Sequence, residues 1–112
     1  MILGLDVGNS HIHGGVFDVD GEQAKLLLQF RYPSAAQCTS DQLGVFFKSI
    51  LRENKLDPSK IKQIAVCSVV PSMDYSLRSA LIKYFSVEPF FLKAGVKTGL
   101  KLKYKNTNEI GL

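Results

Sequence analysis

The sequence of 112 residues has no tryptophan, two cysteines and no long hydrophobic run. Cys38 and Cys67 lie in unrelated contexts without the paired spacing of a metal or redox motif, which argues against a disulfide-stapled scaffold and a thiolate metal centre. The longest apolar segment, 64–70, is far shorter than the roughly 20 residues of a membrane-spanning helix. Asp6 interrupts the first apolar segment, which argues against a signal peptide. We therefore expect a cytoplasmic protein without a membrane anchor.

The basic residues in excess are concentrated in one segment. The net charge of +4 arises entirely in residues 93–112, which hold five lysines and one glutamate, whereas the charges of residues 1–92 balance. A basic segment of this kind attracts anions such as a phosphorylated ligand or nucleic acid, but it is equally typical of a solvated surface. Tyr104 is its only aromatic residue and no helix-turn-helix pattern is visible, so nucleic acid is an unfavoured partner.

Hydrophobic periodicity predicts seven main elements in the order β-β-β-α-β-α-β. Three apolar segments that stop at turn residues predict an antiparallel meander, and apolar residues spaced three and four apart predict two helices. The predicted elements are strands at 1–6, 12–19, 25–32, 64–70 and 89–92, helices at about 40–54 and from Pro71 onward, and a short helical turn at Asp57-Pro58.

This order predicts an α/β fold. A strand–helix–strand crossover makes parallel neighbours and places the helix on a face of the sheet. A meander followed by two such crossovers is the topology of the superfamily of sugar and acetate kinases, heat-shock chaperones and actin. We therefore expect an actin-like, ribonuclease H-like domain with a mixed five-stranded sheet.

The clearest chemical signal follows the first predicted strand, in the run Asp6-Val7-Gly8-Asn9-Ser10. A carboxylate at the end of a buried strand is costly unless it meets a cation or hydrogen-bond donors. Gly8 and Asn9 tolerate positive φ, so a tight turn would point successive N–H groups into a concavity for phosphate oxygens. Ser10 would add a hydroxyl group, and Asp6 would orient a hydrated Mg²⁺. A plain hairpin with Asp6 as a turn acceptor is the alternative that stays open.

Two histidines follow the same run. His11 and His13 are two residues apart, so both point to one face of the second strand. Two imidazoles on one face suit a transition metal, but the sequence has no third histidine and no cysteine nearby to complete the ligand set. Contact with phosphate or solvent is therefore the favoured role.

Four sequence blocks, in one order, resemble the type III pantothenate kinase family, also called the Bvg accessory factor family. The resemblance extends over essentially the whole chain, and the four blocks together are far more specific than any one alone. The blocks are Asp6-Val7-Gly8-Asn9-Ser10, Ser68-Val69-Val70-Pro71, Gly95-Val96-Lys97-Thr98-Gly99-Leu100 and Tyr104-Lys105-Asn106.

The resemblance implies an actin-like kinase that phosphorylates pantothenate to 4'-phosphopantothenate with ATP, the first step of coenzyme A biosynthesis. It also implies Mg²⁺, a monovalent cation (K⁺ or NH₄⁺) and a cytosolic homodimer. Asp6 would hold Mg²⁺ through water, while Tyr104, Gly111 and Leu112 would contact pantothenate. The ATP phosphate loop implied by the family consists of Asp6, Val7, Gly8, Asn9, Ser10, His11, Ile12 and His13.

The sequence departs from the family's pattern at several positions. Ser10 keeps the hydroxyl of the usual threonine, but His11 replaces an asparagine, Thr107 a proline and Leu112 an alanine. The aspartate that would act as the general base is expected just after Leu112. We therefore expect residues 1–112 to be a single N-terminal actin-like ATPase domain, truncated before its last helix, without the second domain and inactive as a kinase alone.

Two other functions stay open from the sequence. A transcriptional accessory role suits the family's second name and the basic segment, and a salt-sensitive DNA shift would favour it. Another small-molecule kinase of the actin-like superfamily, acting on a sugar or acetate, suits the topology, and a substrate panel would identify it.

Overall fold

The structure is a computed structural model that describes residues 1–34 and 38–92. The predicted order of elements is confirmed, including the short helical turn. The fourth strand ends two residues earlier than predicted, because Val69 and Val70 form the connection to the second helix. The elements are β1 (Ile2–Val7), β2 (His11–Asp20), β3 (Gln23–Pro33), α1 (Ser40–Glu53), a 3-10 turn (Pro58–Lys60), β4 (Gln63–Ser68), α2 (Pro71–Phe85) and β5 (Phe90–Leu92).

The strands form one mixed sheet in the order β3-β2-β1-β4-β5. The pairs β1–β2 and β2–β3 are antiparallel, as the predicted meander requires. The pairs β1–β4 and β4–β5 are parallel, as expected for strands joined through helices. The predicted mixed five-stranded sheet is therefore confirmed, with β1 at its centre.

The core lies between one face of this sheet and both described helices. Leu3, Leu5 and Val7 alternate along β1 and are almost completely buried. They belong to one apolar cluster with Phe47 of α1 and Leu77 of α2. Burial of a large apolar side chain stabilises the fold by about 1.5–3 kcal/mol, so this cluster holds both helices on the same face. Neither described helix has the length and apolar character that crossing a membrane requires.

Helix α1 begins at a capping box that fixes its first turn. The side chain of Thr39 accepts a hydrogen bond from the backbone N–H of Gln42 at 3.1 Å. The side chain of Gln42 in turn accepts one from the backbone N–H of Thr39 at 2.8 Å. Two otherwise unpaired donors are thereby satisfied, which defines where the chain leaves the loop after β3.

The two helices approach each other closely at Gly44. The aromatic ring of Tyr84 occupies the place where a Cβ atom on Gly44 would lie. The ring cannot easily withdraw, because the hydroxyl of Tyr84 donates a 2.6 Å hydrogen bond to Asp41. The ammonium of Lys83 donates a second one, of 2.9 Å, to the same carboxylate. Gly44 is therefore required by packing and not by helix propensity.

Replacement of Gly44 by alanine should destabilise the protein by about 1–3 kcal/mol, because the added methyl group overlaps the Tyr84 ring. The sign of the change in the free energy of unfolding is informative, because alanine has a higher helix propensity than glycine and would stabilise α1 if the ring were absent. Chemical denaturation measures the change in the free energy of unfolding. Val45→Ala, at an exposed position beside it, is the control and should change that free energy by less than about 0.5 kcal/mol. A more stable Gly44→Ala variant would contradict the packing.

Candidate functional site

The candidate site lies at the edge of the sheet where two parallel strands end together. Val7 at the end of β1 pairs with Ser68 at the end of β4. Beyond this pair, the backbone N–H of Val69 donates a 3.0 Å hydrogen bond to the carbonyl of Val7. The β1–β2 turn and the start of α2 are thereby brought side by side. In α/β sheets the carboxyl ends of parallel strands are where ligands bind.

The start of α2 is arranged without a side-chain cap. Val70 precedes the helix and its side chain makes no cap bond, while Pro71 has no N–H to satisfy. The connection is instead held by Ser68, whose hydroxyl accepts a 3.0 Å hydrogen bond from the N–H of Val70, two residues later. The predicted block from Ser68 to Pro71 thus adjoins the β1–β2 turn.

The turn between β1 and β2 is a tight hairpin. The N–H of Gly8 donates a 2.9 Å hydrogen bond to the carbonyl of His11, which leaves Asn9 and Ser10 at the tip, both exposed. Gly8 and Asn9 tolerate positive φ, but neither adopts it, since neither is among the residues with positive φ. The predicted row of free amides is wrong at Gly8, because closing the hairpin consumes its N–H.

Ser34 holds this hairpin from the end of β3. Its hydroxyl donates a 2.7 Å hydrogen bond to the carbonyl of Gly8. Its backbone N–H donates a 3.0 Å hydrogen bond to the carbonyl of Ser10. Two bonds from a residue 24 to 26 positions away in sequence restrain the reversal of the chain, so the turn needs no left-handed residue.

A row of polar side chains crosses the sheet just below the turn. Asp6 of β1 pairs with His13 of β2, and His13 pairs with Arg31 of β3. Directly paired residues point to the same face, and alternation along β1 places Asp6 on the face opposite Leu5 and Val7. We call Asp6, His13 and Arg31 the polar row. It lies on the face opposite the apolar core.

Charges in the polar row act on His13. Burial lowers the pKa of His13 below its ordinary value of 6.5, the positive charge of Arg31 lowers this pKa further, and Asp6 acts in the opposite direction. His11 adds a smaller lowering effect on the same pKa, and its ring lies edge-on to that of His13 with centroids 6.2 Å apart. The neutral imidazole is therefore favoured at pH 7.

The donor set at the turn suits Mg²⁺ better than a transition metal. Asp6 is half-buried and Ser10 is exposed, and their oxygens are the hard ligands that Mg²⁺ takes. Mg²⁺ is commonly held by one or two carboxylates together with phosphate oxygens and water. In the described part of the chain, no three metal-ligating side chains lie close enough to form a site.

Several residues singled out in the sequence lie outside the described residues. These are Tyr104, Gly111 and Leu112, together with the basic segment 93–112. Conversely, no sequence motif identified Ser34 or Arg31 as part of the site. Strand pairing alone could have identified Arg31, since register places it beside His13, but the bonds from Ser34 depend on a chain path that no local pattern predicts.

The fold defines the class of the protein. The structure is similar to RuvC of Thermus thermophilus, with a TM-score of 0.59, 15% sequence identity and coverage of 91% of this chain and 69% of that one. It is also similar to a ROK hexokinase of Thermus thermophilus, with a TM-score of 0.57, 19% identity and coverage of 82% of this chain and 34% of that one. The fold is therefore the ribonuclease H-like, actin-like α/β fold, as predicted.

The sequence then identifies the family. The family profile "Type III pantothenate kinase" matches residues 2–112, and the chain belongs to that family. It is 60% identical over 111 residues to the type III pantothenate kinase of Legionella pneumophila (strain Corby), covering 99% of this chain and 41% of the relative. It is 44% identical to that of Elusimicrobium minutum (strain Pei191), covering 99% of this chain and 42% of the relative. The chain thus spans about two fifths of these relatives' length.

Replacement of Ser34 by alanine should lower the free energy of unfolding by about 1 kcal/mol, because the carbonyl of Gly8 loses its side-chain donor. Thermal or urea unfolding measures the loss. The matched control is Ser49→Ala on the exposed side of α1, which should change stability by less than about 0.5 kcal/mol. Equal effects of the two substitutions would show that the Ser34 bond does not hold the hairpin.

The pKa of His13 should respond to its neighbours in a defined direction. Arg31→Gln should raise this pKa, because it removes a positive charge, and Asp6→Asn should lower it further, because it removes a negative one. NMR titration of the imidazole C–H signals measures both shifts. Lys25→Gln removes a positive charge from the same strand at a position paired with Asp18 and should leave the His13 pKa unchanged. If Arg31→Gln left the pKa of His13 unchanged, the electrostatic interaction between Arg31 and His13 in the polar row would be refuted.

Proposed function

We propose that residues 1–112 form the nucleotide-binding part of a kinase that transfers the γ-phosphoryl group of ATP to pantothenate, giving 4'-phosphopantothenate for coenzyme A biosynthesis. The observation that carries the proposal is the position of the family's first block, with Asp6 and the hairpin at the joint carboxyl edge of β1 and β4. Family membership supports pantothenate as the substrate ahead of a sugar or acetate.

The hairpin would bind the phosphate groups of ATP. Asn9 and Ser10 are exposed at its tip, where their N–H groups and the Ser10 hydroxyl can donate to phosphate oxygens. The bonds from Ser34 keep these groups in a fixed geometry, so little ordering is needed when the nucleotide binds. The loop proposed for ATP extends from Asp6 to His13, as in the sequence-based prediction.

Asp6 would hold Mg²⁺ through water beside the same phosphates. When bound, Mg²⁺ neutralises charge on the transferring phosphoryl group. The residue's own contribution is orientation: Asp6 sits in a strand paired on both sides, so its backbone is among the most restrained in the sheet. A carboxylate held this rigidly can direct a hydrated ion towards the hairpin.

The remaining parts of the proposal concern groups outside the described residues. Tyr104, Gly111 and Leu112 would contact pantothenate. The complete kinase would be a cytoplasmic homodimer that uses K⁺ or NH₄⁺. These assignments rest on the family resemblance and stay predictions.

A chimera tests the function directly. Residues 1–112 replace the matching N-terminal part of the Legionella pneumophila relative, and release of ADP is followed with and without pantothenate. We expect pantothenate-dependent turnover in the chimera, and a loss of about 100-fold or more when Asp6 is replaced by asparagine.

The control variant is Asp18→Asn, which removes an exposed carboxylate from the adjacent strand at the other end of the sheet. It should retain the activity of the parent chimera. If a folded chimera turns over ATP with a sugar or acetate instead of pantothenate, the proposed substrate is wrong. Full activity of the Asp6→Asn chimera would show that the carboxylate has no role.

A further inference from the structure

We propose that Arg31 is a second phosphate-binding residue, which extends the nucleotide site from the hairpin along the polar row to β3. This inference rests on the proposed function of the hairpin and deepens it. It assigns a ligand contact to a strand that none of the four family-like blocks includes.

The strand register places Arg31 within reach of a ligand at Asp6. Asp6, His13 and Arg31 occupy directly paired positions on three adjacent strands, with their side chains on one face. Neighbouring strands are about 4.8 Å apart, so the Cα atoms of Asp6 and Arg31 are separated by about 10 Å. Both side chains stand on the same face, so the long arginine side chain can approach a ligand held beside Asp6. A phosphate chain that extends from the hairpin over this face would meet both side chains.

Arg31 has the charge and exposure that a phosphate contact requires. Its side chain is exposed. Among the described residues, the side-chain ion pairs are Arg78 with Glu88 and Lys83 with Asp41, and neither of them involves Arg31.

The chemistry of the row favours phosphate. A guanidinium presents paired N–H donors that match two oxygens of one phosphate group. His13 lies between the cation and the carboxylate, and its ring can donate one further hydrogen bond. Asp6 and Arg31 would thus have complementary roles in binding a nucleotide. Asp6 would attract the metal ion, and Arg31 would bind the phosphate oxygens directly.

Binding to the 112-residue chain tests the assignment by calorimetry with three probes: ATP with Mg²⁺, inorganic tripolyphosphate and pantothenate. Arg31→Gln should weaken binding of both phosphate probes by about tenfold or more. Arg31→Lys keeps the charge but loses the paired donors, so it should recover only part of the affinity. Lys25→Gln, on the same strand at the far end of the sheet, is the matched control and should bind like the parent chain. Since Arg31 is exposed, unchanged thermal unfolding of each variant confirms that the fold is retained.

The outcomes separate this inference from the proposed function. If tripolyphosphate binds through Arg31 but ATP does not bind, the phosphate role of Arg31 stands and the proposed function loses its support. If ATP and tripolyphosphate bind equally well to the parent chain and to Arg31→Gln, Arg31 is not a phosphate contact. Failure of tripolyphosphate to bind the parent chain, or a loss seen only with pantothenate, would equally overturn the inference.

Discussion

Parallel pairing between β1 and β4 is the constraint on which the candidate site depends. Because both strands run in the same direction and end at the same level, the hairpin after β1 and the loop before α2 emerge side by side. Parallel strands need a crossover, and α1 provides it by packing on the core face. The site therefore exists only if the core has formed, even though none of its polar side chains belongs to that core.

The hairpin illustrates how distant parts of the chain define local geometry. Its sequence, with Gly8 and Asn9, suggests a turn that relies on left-handed backbone, yet neither residue adopts it. Ser34 instead restrains the turn through the carbonyls of Gly8 and Ser10. Ser34 occupies these two carbonyls, while Asn9 and Ser10 at the tip remain exposed. The geometry of the β1–β2 hairpin thus depends on the residue after β3 as well as on β1 and β2.

The fold can be predicted well from the sequence, because the spacing of apolar residues reflects which face of each helix or strand is buried. The stripes on α1 and α2 and the apolar strands specify which side of each element is covered, and the order of elements then limits the topology. The site was predicted only as far as its local motif allows. Asp6 and the turn carry a recognisable pattern, whereas Arg31 and Ser34 enter through strand register and chain path, which contribute no signal within a short window. The sequence-based prediction also included too many free N–H groups in the turn, because the N–H of Gly8 is used to close the hairpin.

Alternate residues of β1 contribute to the apolar core and to the polar row. In β1, Leu5 and Val7 face the helices, and Asp6 between them faces the polar row. A shift of register by one residue would bury the carboxylate and expose both apolar side chains. Such a shift is strongly disfavoured, since an unpaired buried charge and lost apolar burial act together. The energy that fixes the core therefore also fixes the alignment of Asp6 with His13 and Arg31, so the polar row needs no strong interactions of its own to remain in place.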